Sequence, residues 1–178
     1  YMTELRAFHG LQAYPSRTKD PDNVDFSTGS VGLGPVAPNF SSIVRSYVDS
    51  HEFGQSDLIQ KNARYISIVG DAELDEGSIW ESVLIANAYN LKNLIVIVDR
   101  NRRQANTTTE ELIPLESLRE KFSSFGWITY SCDGHDIKDI SKNLEQIFED
   151  LKSFNYSFSK VEGYFERRGG IAIIPRRY

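Results

Sequence analysis

Two almost unbroken apolar runs, Arg64-Tyr65-Ile66-Ser67-Ile68-Val69 and Leu94-Ile95-Val96-Ile97-Val98, constrain this chain more than any other feature. Both are rich in β-branched residues, and both stop abruptly, at Gly70-Asp71 and at Asp99-Arg100-Asn101. A strand that alternates polar and apolar residues can leave one face in water. A continuous apolar strand needs cover on both faces, as in a parallel sheet flanked by helices. Between the runs, Ile79, Val83, Ala86 and Ala88 with Trp80 and Leu84 recur at helical spacing, and Gly77-Ser78 gives a start. The result is one β-α-β unit.

The remaining pattern extends this unit. Pro35 to Phe53 predicts a helix with Pro38 in its first turn, where a missing amide hydrogen does no harm. Pro114 to Phe125 predicts another, with Leu115, Leu118 and Phe122 on one face. A strand over Trp127 to Ser131 runs into the turn Asp133-Gly134-His135-Asp136, and Ile140, Leu144, Ile147, Phe148 and Leu151 then mark a long helix. Ile171 to Ile174 predicts a last strand. The stretch from about Asn155 to Gly170 lacks periodicity and reads as loop or partly disordered. The expected fold is therefore α/β, a three-layer α/β/α arrangement with a mostly parallel sheet. Residues 1–154 are expected to form the domain and 155–178 a poorly defined tail carrying the last strand.

Composition narrows the partners. A net charge of −5 gives no basic face for nucleic acid. No apolar run approaches the ~18 residues of a membrane-spanning helix. Cys132, the single cysteine, excludes an internal disulfide framework, reads as a buried strand residue, and makes a reducing cytoplasm the expected location. Tyr1 stands before Met2, which suggests a piece of a longer chain. His9 and His51 have no partner pattern, and His135 fits a turn-stabilising role better than an acid–base one.

The chemistry concentrates at the ends of the two strong strands. Asp71 and Asn101 each follow a strand at the same edge of the sheet, where α/β folds present their ligand crevice. One carboxylate and one amide oxygen suit a hard divalent cation, and magnesium takes few protein ligands and completes its shell from phosphates and water. Gly70 and Ala72 are small enough to let a diphosphate approach the main chain. The glycine-rich stretch Ser27-Thr28-Gly29-Ser30-Val31-Gly32-Leu33-Gly34 leads into a helix whose amides could face an anion. The acidic run of Glu73, Asp75, Glu76 and Glu81 fits a solvated helix start favoured by the dipole, for Glu73 and Asp75 above all.

Taken together these segments resemble the thiamine-diphosphate enzymes of the transketolase superfamily. Gly70-Asp71-Ala72, some thirty residues and then Asn101 is similar to the cofactor signature. Gly70 through Glu81 resembles the transketolase run Gly-Asp-Gly-Glu-x-x-Glu-Gly-x-x-Trp-Glu. Asp99-Arg100-Asn101, Thr109-Glu110-Glu111, Phe125-Gly126-Trp127 and Asp133-Gly134-His135-Asp136 follow in family order, and Asp25 to Pro35 resembles the family's glycine loop. The Gly-Leu-Gly-Pro ending of that loop is also similar to the homodimeric pyruvate dehydrogenase E1.

The resemblance, which covers roughly residues 4 to 154, implies specific roles. Asp71, Asn101 and the carbonyl of Arg103 would hold Mg2+, which bridges the diphosphate of thiamine diphosphate; Gly70 and Ala72 would line that diphosphate. Gly29 and Val31 would meet the cofactor's rings, and Glu76 and Glu81 would lie near a dimer interface. The implied activity is transfer of two-carbon ketol units. The alternatives are a 2-oxo acid decarboxylase module of the pyruvate dehydrogenase E1 type and a non-catalytic remnant or partner subunit. The family's pyrimidine-binding domain, which carries the activating glutamate, is not legible in the chain. No catalytic residue is expected within it, and it is expected to be inactive alone, completed by a separate domain or subunit in a homo- or hetero-oligomer. The family's histidine before the glycine loop is absent from Pro15 to Pro21, and Pro175-Arg176-Arg177-Tyr178 replaces its Lys-Gly stretch. Donor-substrate and phosphate contacts are therefore left unassigned.

Overall fold

The computed structural model describes residues 2–51, 63–156 and 169–176. Helix α1 (Val36–Ser50) is followed by β1 (Tyr65–Gly70), a 3-10 turn (Asp71–Asp75), α2 (Gly77–Ala88) and β2 (Leu94–Asp99). A two-residue hairpin, β3 (Arg103–Gln104) with β4 (Thr107–Thr108), leads to the short α3 (Thr109–Leu112) and α4 (Leu118–Ser124). Then come β5 (Trp127–Asp133), α5 (Ile137–Tyr156) and β6 (Gly169–Arg176).

The main sheet has the order β1-β2-β6-β5 and is parallel throughout. The strand expected at 171–174 thus lies in the interior of the sheet, between β2 and β5, so the segment expected to be a tail supplies a central strand. Of the stretch read as loop from about Asn155 to Gly170, residues 155–156 belong to α5 and 169–170 to β6, a correction at both ends, while 157–168 lie outside the described residues, as does Phe53 beyond α1.

Strand period 2 sends alternate residues of β2 to opposite layers. Leu94, Val96 and Val98 join Ile79, Val83 and Ala86 of α2, Leu118 and Phe122 of α4, and Trp127 in one core. Ile95 joins Cys132, Ile147 and Leu151 in the other, under α5. These are the three layers, helix on sheet on helix. Cover is incomplete at β1. Val69 is buried, but Ile66 and Ile68, pointing to the opposite face, are 50% and 71% exposed. The expectation that both faces of this run are covered does not hold among the described residues, because α5 reaches β2 and β5 but not β1.

Two helix readings change. The helix expected from Pro114 starts only at Leu118, because the Ser117 hydroxyl caps it by accepting the Glu120 amide. The unanticipated α3 is a single turn held by a capping box between Thr108 and Glu111. In α2, Ile79, Val83 and Ala86 face the core, whereas Leu84 is exposed.

Candidate functional site

In the β1–β2 register Gly70 stands beside Asp99, so the two strands end together and the chains that leave them are neighbours. From this edge the Asp71 carboxylate turns toward the next loop. Its Oδ2 accepts the Arg102 amide at 2.8 Å and its Oδ1 accepts the Ala72 amide at 3.0 Å. Asp71 is 1% exposed. Burial pushes its pKa above the ordinary carboxylate value, while the Arg102 and Ala72 amides and the Arg100 charge pull it back down. No ion pair reaches Asp71 among the described residues. A buried carboxylate answered by backbone dipoles and the nearby Arg100 charge, but by no ion pair among the described residues, fits a cation, and the chemistry of the donor set suits magnesium.

Asn101 follows two residues after β2 and is half-buried. Its Oδ1 accepts the Arg103 amide at 2.7 Å, closing a tight local turn in which Arg102 takes a left-handed backbone (φ 59°). Arg103 opens the hairpin opposite Thr108, its side chain exposed. The Arg102 amide therefore ties Asp71 to the turn that carries the other two expected metal-binding residues, Asn101 and Arg103. Each side-chain oxygen that accepts an amide here keeps a second lone pair for a cation.

The space above the strand end is open. A Cβ added at Gly70 would meet nothing within 4 Å. The glycine loop packs against the segment that follows β1, through contacts that sequence periodicity could not reveal. The Gly32 amide donates to Glu73 Oε1 at 2.9 Å, and the Ser78 hydroxyl donates to the Gly32 carbonyl at 3.0 Å. Gly32 has φ 90°, and a Cβ there would lie 2.7 Å from Ser78 Oγ. The ring of Tyr14 lies 3.1 Å from where a Gly29 Cβ would be, so it backs the loop. Val31 and Leu33 project outward, exposed.

Glu73, expected to be solvated, is half-buried and pins the glycine loop instead. The Asp75 carboxylate oxygens, also expected in solvent, are buried without a hydrogen-bond partner among the described residues. Glu76 caps the start of α2 with its backbone, and both Glu76 and Glu81 are exposed. Cys132 is buried, and burial pushes its thiol pKa up, the reverse of what a nucleophile needs. His135 is exposed in the turn before α5, its amide donating to Asp133 Oδ1 at 2.9 Å.

This geometry has known counterparts. Residues 1–163 match the family described as transketolase, thiamine diphosphate binding domain. The chain is 42% identical over 137 residues to a subunit of the apulose-4-phosphate transketolase of Phocaeicola vulgatus, covering 77% of this chain and 44% of that protein. It is 37% identical over 127 residues to a 6-deoxy-6-sulfo-D-fructose transketolase subunit of a Clostridium species, covering 69% and 41%. It thus spans less than half the length of these relatives. The fold is shared with transketolase from Campylobacter jejuni (TM-score 0.64, 24% identity, 85% of this chain and 21% of that one). A transketolase mutant from Pichia stipitis gives a TM-score of 0.67 at 20% identity, over 90% of this chain and 21% of that one. With fold, family match and relatives in agreement, the chain belongs to the transketolase family and corresponds to its thiamine-diphosphate-binding domain.

Proposed function

We propose that this chain is the thiamine-diphosphate- and Mg2+-binding half of a transketolase-type transferase that moves two-carbon ketol units between sugar-derived substrates. A separate pyrimidine-binding domain or subunit completes its active site. The observation that carries the reading is the tie between Asp71 and the Asn101 turn through the Arg102 amide, next to Gly70, where an added Cβ would meet nothing within 4 Å. The two relatives above are named as subunits of transketolases acting on sugar derivatives, which favours this substrate class over a 2-oxo acid.

In this reading Asp71, the Asn101 side-chain oxygen and the Arg103 carbonyl hold the cation. Gly70 and Ala72 admit the diphosphate, and Gly29 and Val31 line the rings. When bound, thiamine diphosphate supplies the electron sink for breaking and making carbon–carbon bonds beside a carbonyl. The protein holds the cofactor's anionic end in a fixed, partly dry frame, so that little reorganisation accompanies reaction. Glu76 and Glu81, both exposed, are placed for an interface. The exposed Val31 and Leu33 beside the glycine loop, with Phe40, Val44 and Tyr47 on the outer side of α1, are apolar surface of the kind a partner covers.

Calorimetric titration with thiamine diphosphate, with and without Mg2+, tests the reading. Binding should require the metal, and Asp71→Ala should weaken it by at least ~100-fold, the upper end of what outer ligands contribute at metal sites. Metal-independent binding that survives Asp71→Ala would overturn it.

A further inference from the structure

We propose that Arg100 is a positioning residue for the cation-holding turn. Its guanidinium, clamped between Glu110 and Glu116, keeps residues 100–103 in the shape that presents Asn101 and delivers the Arg102 amide to Asp71. The proposal rests on the assignment of Asp71 and Asn101 given above.

Arg100 is 5% exposed, which is unusual for arginine and costly unless its charge is answered. Its Nη2 donates to Glu116 Oε1 at 2.5 Å and to Glu110 Oε1 at 3.2 Å. Both acceptors are themselves anchored in the segment that follows the hairpin. Glu110 Oε1 also accepts the Leu115 amide at 3.2 Å, and Glu116 Oε1 lies 3.6 Å from Nη2 of the exposed Arg102. The main chain adds a tie, because the buried Thr109 donates its amide to the Arg102 carbonyl at 3.3 Å.

Arg102 therefore has its amide on Asp71, its carbonyl on Thr109 and its side chain near Glu116, while its own backbone sits in the left-handed region. A residue with a side chain holds that conformation only when its surroundings impose it. The buried neighbour with two ion pairs is one such constraint on the turn. Both ion pairs leave from a single nitrogen, and Nε has no partner among the described residues. The function therefore needs one cationic donor at that depth rather than the whole planar fork, and a lysine ammonium with three donors can supply it.

The experiment compares Arg100→Met, Arg100→Lys and Glu116→Gln in the full chain. In cofactor-free protein, backbone amide exchange at Arg102 and Arg103 should accelerate about 10-fold in Arg100→Met while β1 and α2 amides keep their protection. Arg100→Lys should restore slow exchange. With thiamine diphosphate present, the Mg2+ concentration giving half-maximal binding should rise about 10-fold in Arg100→Met and return near the parent value in Arg100→Lys. Unchanged exchange at Arg102 and Arg103 in Arg100→Met overturns the proposal. So does an equal acceleration across β1, which would make the cluster a general brace between α3, α4 and the sheet. Should Arg100→Met fail to fold, Glu116→Gln carries the same comparison. A parent chain without metal-dependent cofactor binding would sink the half-site reading alone, and the exchange measurement would still decide the role of Arg100.

Discussion

Asp71 is buried where the cofactor-free fold offers its charged form two backbone amides and the nearby Arg100 charge but no ion pair among the described residues. Its folded pKa is raised, mainly by burial, so the folded chain holds this proton more tightly than the unfolded one. Its contribution to stability is fully present below the unfolded value and is lost as pH rises through the folded one. Ionising this carboxylate is thus a cost to the cofactor-free fold, one that a bound cation would offset in the reading proposed above. Asp71→Asn should raise the Tm of the cofactor-free chain at pH 7 by a few degrees, shrinking as pH falls through the carboxylate range. Calorimetric scans across pH check this, and equal Tm values at pH 7 contradict it. Gly32→Ala forces a Cβ to 2.7 Å from Ser78 Oγ at a φ that disfavours side chains. It should cost about 1–3 kcal/mol at the loop, read as weaker thiamine diphosphate binding with a smaller change in Tm. The positions of Asp71 and Asn101 at the ends of β1 and β2 were legible because each closely follows an apolar run. Glu73 and Arg100 were not, since their partners Gly32 and Glu116 lie 41 and 16 residues away and no local pattern encodes such pairings.

At the scale of elements, apolar pattern found α2, α5 and both strong strands, although in β1 only alternate positions are buried and Ile66 and Ile68 stay exposed. It said less about α1, which inverts the usual amphipathic arrangement. Asn39, Ser42 and Arg45 are buried, while Phe40, Val44 and Tyr47, one helical stripe, face outward. Two of the inward polar residues reach across the fold, Asn39 Nδ2 donating to the Ser82 carbonyl at 3.1 Å and Ser42 Oγ pairing with Asn93 Oδ1, while Arg45 Nη2 meets Asp49 Oδ1 one turn on in the same helix at 2.7 Å. Helix α4 is short, yet its Phe122 is fully buried between the rings of Trp80 and Trp127, with centroids at 5.4 and 5.8 Å. Phe122→Ala should cost about 3–5 kcal/mol, measured by urea unfolding. A loss under ~1 kcal/mol would mean that this ring trio is not a keystone of the core.

For the molecule as a whole, the helix-flanked parallel sheet was legible from two apolar runs, and its strand order was not, because order depends on crossovers that sequence pattern leaves free. The outward stripe of α1 and the exposed Ile66 and Ile68 give the chain apolar surface on two sides. Val44→Lys should weaken self-association at least ~10-fold without lowering Tm, since Val44 is exposed. Sedimentation equilibrium checks this, and a parent that stays monomeric at high concentration would remove the premise. The place of β6 has a consequence for how the chain is made. The strand that joins β2 to β5 is the last described element to leave the ribosome, and β5 has no other strand partner among the described residues. Until residues 169–176 emerge, β1 and β2 can pair but β5 stands apart with its edge unpaired. A nascent chain stalled at residue 168 should then be protease-sensitive along β5 and dependent on chaperones, and completion of a single strand should end both conditions.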